Sequence, residues 1–492
     1  MSLTQHFLPV RLRAYMRHPR VRAAWLSFFW GVVLFYFLFC ALVLTTRWIL
    51  LPQVDRYKDE IAGFLSDKLH AEVSIGSVSP RWDTFWPQLS MDNVVIRRPD
   101  PRTSDEHVLH LPQVYASFYW RSILGQPIFR RLEVTDAEIT VRRVGENVFD
   151  LAGFVFDFDR SAGEGGGGGL EWLLKQGRID LVNTRLTYSD LIAQPRPRHT
   201  SLENINLSFA QEGGEYKAGI QGNLRSLHDN RIDVRVRFTT PLFGERTWDT
   251  WTGELFVAAD NLDIARLARP IPSARKLIGS GRGSTRTWLT FDEGKPKELT
   301  SYLGMSDVVL RFTEEAEPLR VKTLSTLLTE TFENDVISAK AENLAFELPD
   351  GTSARDLELT STVALTDAAS PDSPRSGFTI RHLDVGTLEK LLPSMPFPKE
   401  AAELIAEHHA GGNITDFELT WSGKPREARD WRIRAGFENL SLANAAGAQN
   451  MFSGFENLTG SLEITRESGH IAFDTRSGAV SLPGVFENAR VP

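Results

Sequence analysis

Leu132-Glu133-Val134-Thr135-Asp136-Ala137-Glu138-Ile139 alternates apolar and other residues, slips by one position at Asp136, and then resumes its alternation to Val141. The phrase recurs. Leu89 to Ile96 carries it around Asn93, Ile179 to Leu186 around Asn183, and Leu303 to Leu310 around Asp307, with Phe312 extending the last copy. Looser copies centre on Asn204, Asn261, Asn343, Asp356, Asn439 and Asn457. Strand side chains alternate faces, so one extra residue throws the second half of a strand onto the wrong side. Asp and Asn tolerate the turn-like backbone that absorbs an extra residue. A bulge at Asn93, Asp136, Asn183 and Asp307 returns the apolar residues to one face and bends the strand. Repetition of that bend predicts a mainly β protein: an elongated, curled, antiparallel-type sheet folded like a taco around an apolar groove. Val134, Ile139, Val141, Leu181, Leu186, Met305, Leu310 and Phe312 would line it. The competing reading is a set of ordinary β-turns in a closed sandwich core. The copies are too unevenly spaced for a regular solenoid.

Around this phrase the chain reads as strands from Ala71 to its end, a body over 71–492. Turn residues divide them at Pro99-Asp100-Pro101, Glu212-Gly213-Gly214 and Asp350-Gly351. Gly163 to Gly169 reads as a surface loop. Two helices are expected inside the body, around Lys399 to His409 and, more weakly, around Leu319 to Thr331. Ahead of it, Val54, Tyr57, Ile61, Phe64, Leu65 and Leu69 follow helical spacing. A short amphipathic helix over 52–70 would lie at the membrane face and cover the first edge of the sheet.

Ala23 to Thr46 holds no charged residue and no proline, and Arg22 and Arg47 close it. A bilayer core of about 30 Å needs roughly 20 apolar residues, so 23–46 reads as a transmembrane helix. Residues 1–22 carry Arg11, Arg13, Arg17, Arg20 and Arg22 and no acid, whereas charges after the span nearly cancel. The positive-inside rule puts this basic tail in the cytoplasm and the body across the membrane.

The chain has 492 residues, a net charge of -8 and an apolar fraction of 42%, which excludes a disordered chain and argues against nucleic acid as partner. Its one cysteine, Cys40, lies in the span, so the body has no disulfide and no cysteine metal site. Gly279-Ser280-Gly281-Arg282-Gly283-Ser284-Thr285 lacks the lysine and spacing of a phosphate loop and reads as a glycine-rich turn. Arg275, Lys276, Arg282 and Arg286 are candidates for lipid phosphate, with solvated loop charges as the plainer reading. Glu403, Glu407, His408 and His409 are the best metal candidates, but no third ligand stands at useful spacing, and no metal or other cofactor is expected. Trp82, Phe85, Trp86, Trp248 and Trp251 read first as core, second as lipid anchors. No serine, histidine and acid set announces itself.

The order of these features carries a resemblance. Basic tail, span and helix are followed by AEVSIGSVSPRWDTFWPQLSMDNVVIRR (71–98), by LPQVYASFYWRSILGQPIFRRLEVTDAEITVRRVGENVFDLAGF (111–154) and later by IGSGRGSTRTWLTF (278–291). The chain resembles the N-terminal part of YhdP-type proteins of the AsmA-like group. That resemblance implies a bridge-like lipid transporter, anchored in the bacterial inner membrane. Phospholipid acyl chains would slide along the groove toward the outer membrane while headgroups stay in water. It implies phospholipid as the partner, with outer-membrane or envelope proteins as further candidates, and no catalytic residues. It also implies a body that continues beyond Pro492. Two other functions fit the residues: a membrane-tethered scaffold for envelope assembly, and a periplasmic hydrolase with a dispersed site.

Overall fold

The computed structural model describes residues 19–45, 48, 51–69, 71–83, 86–99, 106–119, 128–145, 148–151, 154–157, 174–192, 198–224, 231–241, 248–265, 278–311, 317–333, 335–364, 375–394, 410–422, 429–442 and 454–481. Helix α1 (Pro19–Thr45) contains a 23-residue stretch, Ala23–Thr45, with a mean hydropathy of 2.4 and no part of it buried against protein. One N-terminal helix of this length and composition fits a single-pass membrane protein. A 3-10 turn over Leu51–Tyr57 leads into helix α2 (Lys58–Leu69).

The 23 strands found among the described residues join one sheet. β1 (Glu72–Asp83), β2 (Trp86–Pro99) and β3 (Glu106–Phe118) pair antiparallel. β4 (Phe129–Thr135) and β5 (Glu138–Arg143) are two halves of one line, broken at Asp136. Both pair in parallel with β8 (Arg178–Asp190), while β6 (Val148–Leu151) and β7 (Phe154–Asp157) extend from β5.

From there antiparallel neighbours follow in chain order. They are β9 (Arg198–Glu212), β10 (Glu215–Leu224), β11 (Arg231–Thr239), β12 (Thr252–Asp263), β13 (Ile278–Asp292), β14 (Lys295–Leu310) and β15 (Leu319–Glu333). The series continues through β16 (Val336–Glu347), β17 (Ser353–Ala364), β18 (Ser376–Asp384), β19 (Gly411–Ser422), β20 (Arg429–Leu442) and β21 (Gly454–Thr465). β22 (Gly469–Phe473) and β23 (Ala479–Ser481) share the far side of β21. A short helix α3 (Val385–Leu391) follows β18, its N-terminus capped by the Asp384 carboxylate, which accepts from Thr387 N–H at 2.7 Å.

Register sorts the side chains, because directly opposed residues share a face. Val236, Leu255, Leu289 and Leu299 stand opposite one another across β11 to β14, as do Val234, Val257, Thr287 and Ser301. One step along each strand, Arg235, Phe256, Trp288 and Thr300 occupy the other face. One face is therefore apolar and the other polar. Ion pairs follow the polar face, including Arg178 with Asp180, Arg237 with Glu254, and Arg434 with Glu463. Such pairs, mostly half-exposed, contribute about 0–1 kcal/mol each, so they mark the wet side rather than hold the sheet. The chain exposes 32678 Å², whereas a compact protein of its 55.3 kDa exposes roughly 18,000 Å².

Two helices lie on the apolar face. Ala62 of α2 belongs to the buried cluster that holds Val73, Ile75, Met91, Val94 and Val114, and Ile61 and Leu65 pack against the same cluster. Polar side chains fasten α2 and its preceding turn to the edge strand. Asp55 accepts from Val78 N–H at 3.0 Å and Ser66 from Val73 N–H at 2.9 Å, satisfying edge groups that would otherwise invite another strand. Farther along, Leu391 of α3 packs on Val308, Leu319 and Val321.

Two sequence expectations fail here. Leu319 to Thr331 is strand, not helix: Leu319 stands opposite Leu310 and Val321 opposite Val308, and both pairs bury apolar area that a helix would forfeit. Gly279 to Thr285 lies inside β13 rather than in a turn. The helix expected over Lys399 to His409 and the Gly163 to Gly169 loop lie outside the described residues.

Candidate functional site

The repeated phrase builds a crease across the sheet. Asn93, Asp136, Asn183 and Asp307 have φ of 55°, 58°, 52° and 51°, and the six residues of the looser copies are also left-handed. In this region Asp and Asn are favoured over other side-chain-bearing residues. Each left-handed residue takes up the extra position, so apolar neighbours three apart stay on one face. Met91 and Val94 are both buried, as are Val134 and Ala137. Register breaks coincide with the bulges: between Leu181 and Thr184 in β8, Ala259 and Leu262 in β12, and Phe437 and Leu440 in β20. Asp416 and Asp430, which the phrase did not flag, adopt the same backbone.

Backbone groups displaced from the ladder at the crease find side chains on the next strand. Asn183 N–H donates to Asn206 Oδ1 at 3.0 Å, Asn261 N–H to Ser284 Oγ at 3.1 Å, and Asn457 N–H to Ser441 Oγ at 3.0 Å. Between β4/β5 and β8 the donors find backbone: Asp136 N–H meets Val182 O at 3.0 Å and Arg185 N–H meets Ala137 O at 2.9 Å. Opposite Asn93 stands Gly76, where a Cβ would lie 3.0 Å from Asp92 O and 3.1 Å from Asn93 Cβ. A side chain there would push the bulge out of place.

At several of the bulges the next residue forms the floor of the crease. Val94, Ala137, Thr184, Ile205 and Val308 are all buried, Val308 to 2% exposure, whereas Met305 and Leu310 on the same strand are half-buried. The sequence reading named the neighbours and passed over this floor, although its phrase requires an apolar residue directly after Asp or Asn.

The residues expected to line the groove fall into two clusters. Val134 and Ile139 are buried, and Val141, Leu181 and Leu186 pack against the same cluster, which α2 joins through Ala62. Met305 and Leu310 belong to the cluster around Val308 that α3 touches. Phe312 lies outside the described residues. Between the clusters, Leu255, Val257, Leu289, Leu299, Leu303 and Leu328 are half-buried on the apolar face. One rim of this stretch carries a ladder of rings: Phe209, Tyr216, Phe238 and Trp251 follow one another at 6.2, 5.1 and 4.0 Å between centroids.

Over residues 16–491 the chain matches the model of the YhdP protein family. The chain belongs to the YhdP family. A search of curated proteins returns no match. Membership of this AsmA-like family and the apolar helix α1 are consistent with membrane anchoring and lipid binding, and the family is not a known enzyme family.

The remaining chemical candidates of this family member have structural partners, are exposed or fall outside the described residues. Arg286 pairs with Asp260 at 2.8 Å, and Arg282 is an exposed residue of β13; Arg275 and Lys276 are outside. Glu403, Glu407, His408 and His409 are also outside, and no metal-holding cluster occurs among the described residues. Trp251 is core, Trp248 is exposed, and Trp86 sits edge-on to Tyr119 at 5.6 Å with the Arg130 guanidinium 5.4 Å from its ring centre. Phe85 and the Trp82 side chain are outside the described set. Asp180 is the most enclosed carboxylate of the polar face. Burial pushes its carboxyl up, but hydrogen bonds from Arg178 and Ser208 and the charges of Arg178 and Arg131 outweigh this and hold it below the usual range.

Proposed function

We propose that this protein is a bridge, anchored in the bacterial inner membrane by α1 with its N-terminus in the cytoplasm, that carries phospholipid toward the outer membrane along the apolar face. Acyl chains lie on the face and headgroups stay in water. The observation that carries this reading is the half-buried apolar stretch from Leu255 through Leu289 and Leu299 to Leu328, over which no second layer packs among the described residues. A bare apolar face of such extent is rare in a protein that works alone in water. The bulges support the reading because they keep that face continuous across strands that bend. The arginine asymmetry flanking the span supports the orientation. No catalytic residue is assigned, and a resident cofactor has no part in the mechanism. The body 71–492 is read as one unit with Val134, Ile139, Val141, Leu181, Leu186, Met305, Leu310 and Phe312 along its lipid path.

Photo-crosslinking groups at Leu299, Leu303 and Leu328 test it. Phospholipid captured at these positions, with little at Thr300 and Tyr302 on the other face, is the expected result. Crosslinks to protein alone at all three positions would make the face a buried core and end the conduit reading.

A further inference from the structure

The polar face holds a feature that lipid carriage does not use. Register brings Phe256, Trp288 and Tyr302 side by side on β12, β13 and β14, although 32 and 14 residues separate them in sequence. Phe256 and Trp288 lie 5.1 Å apart between ring centres, and Trp288 meets Tyr302 edge-on at 6.0 Å. The Arg235 guanidinium sits 5.9 Å from the centre of the Phe256 ring. Trp288 is 45% exposed and Tyr302 54%. Large aromatics on the wet side of a sheet need a reason, since each leaves costly apolar area in water.

Cavities flank this ridge. One of about 860 Å³ reaches from Trp288 and Phe256 to Asp233, Gln221 and Ser208. Another of about 490 Å³ lies beyond Tyr302, lined by Arg286, Asp260, Ser284, Ser325 and Asn343. Both are within the size range of ligand sites. Their charges are compensated in place: Arg235 pairs with Asp233 at 2.6 Å, Arg237 with Glu254 at 3.1 Å, and Arg286 with Asp260 at 2.8 Å. The other cations of the larger cavity are paired as well, Arg131 and Arg178 with Asp180 and Lys217 with Glu212, so an anion finds no unpaired cation here, which argues against phosphate and nucleic acid. A peptide strand finds no free edge either, because β11 to β14 are paired on both sides.

We propose that the Phe256–Trp288–Tyr302 ridge and its two cavities bind a neutral carbohydrate chain. The flat C–H faces of pyranose rings stack on aromatic rings. Their hydroxyls accept from guanidinium N–H groups and donate to carboxylates, and a paired Arg and Asp offers both without net charge. A ridge between two cavities suits several linked sugars rather than one. The site is on the face opposite the proposed lipid path and stands whether or not that path carries lipid.

The experiment is titration calorimetry of the full chain in detergent with chitotetraose and cellotetraose. Saturable binding of at least one is expected. Trp288→Ala and Tyr302→Ala should each weaken it by about tenfold or more, the effect of losing a central aromatic anchor. Trp288→Phe should retain most of it, and Trp248→Ala, which alters an exposed tryptophan away from the ridge, should leave it unchanged. If Trp288→Ala does not fold, the fluorescence of the wild type against Trp288→Phe reports the same contact: sugar must change the signal only when Trp288 is present. No binding of either sugar, equal binding by Trp288→Ala, or preference for a proline-rich peptide would overturn the proposal.

Discussion

The same phrase meets different fates at two places in the sheet. In β1 to β5 the apolar face forms one buried cluster that α2 joins where it packs on β1, and Val73, Val78, Val94, Val114 and Ala116 are buried. In β11 to β15 the face is equally apolar in register, yet Leu255, Leu289, Leu299 and Leu303 stay half-buried. The strands do not account for the difference, since bulges occur in both. What differs is that a helix, α2, packs on β1 at that end, whereas no helix joins Leu255, Leu289 and Leu299 among the described residues. An apolar strand face is thus only a potential core, and it becomes one where another element supplies the second layer.

The strongest way to break the comparison is to put the same charge in both regions. Val114→Asp should destabilise the body by more than about 4 kcal/mol, because the carboxylate has no partner in that buried cluster. Leu303→Asp should cost at most about 1–2 kcal/mol, because its carboxylate reaches water. Urea denaturation of the two variants measures this. Equal losses would mean that the middle of the sheet is as closed as its N-terminal end.

A smaller effect is expected at the crease, which both regions share. Valine at the left-handed position of Asp307 should cost about 1–3 kcal/mol, since a β-branched residue resists that backbone, whereas Asp307→Gly should cost well under half as much. The contrast is read from thermal melts. If Val and Gly behave alike, the bulge does not depend on its backbone conformation.

The periodic part of this architecture was legible because an Asp or Asn stands at each slip between apolar residues, as at Asp136 and Asp307. Asp416 escaped because Gly411-Gly412-Asn413 blurs the alternation before it. Leu319 to Thr331 misled because Leu324, Leu327, Leu328 and Thr331 fall at helical spacing, and only the partners Val308 and Leu310 across β14 decide for strand. The helix over 52–70 was legible as a cover for the first edge, but the place of α3 and the Phe256–Trp288–Tyr302 ridge were not. They depend on register between distant segments, which no local pattern carries.

The smallest effect concerns pH and the polar face of the better-packed end. The carboxyl of Asp180 is held below its ordinary value in the fold, so the unfolded chain takes up its proton more readily. Its contribution is fully present above the ordinary carboxylate range and is lost as pH falls through the lower folded value. Thermal melts from pH 7 to pH 3 should therefore decline more steeply for the wild type than for Asp180→Asn. Parallel declines would show that the Arg131, Arg178 and Ser208 contacts add nothing.

The parallel pairing of β4 and β5 with β8 has a consequence for how the chain reaches this state. Almost every other pairing joins neighbours in sequence, such as β9 and β10 across the Gly213-Gly214 turn, and closes a short loop at small entropic cost. Asp136 and Asn183, bonded through their side chains across the β4/β5–β8 line, are 47 residues apart. Contacts of long sequence separation form slowly because the loop must be closed before the contact is gained. The strands from β8 onward can add one hairpin at a time, each using the last as its template. The junction at Asp136 is where that sequential growth must wait for a distant segment to return, and so it sets the pace at which the two regions become one sheet.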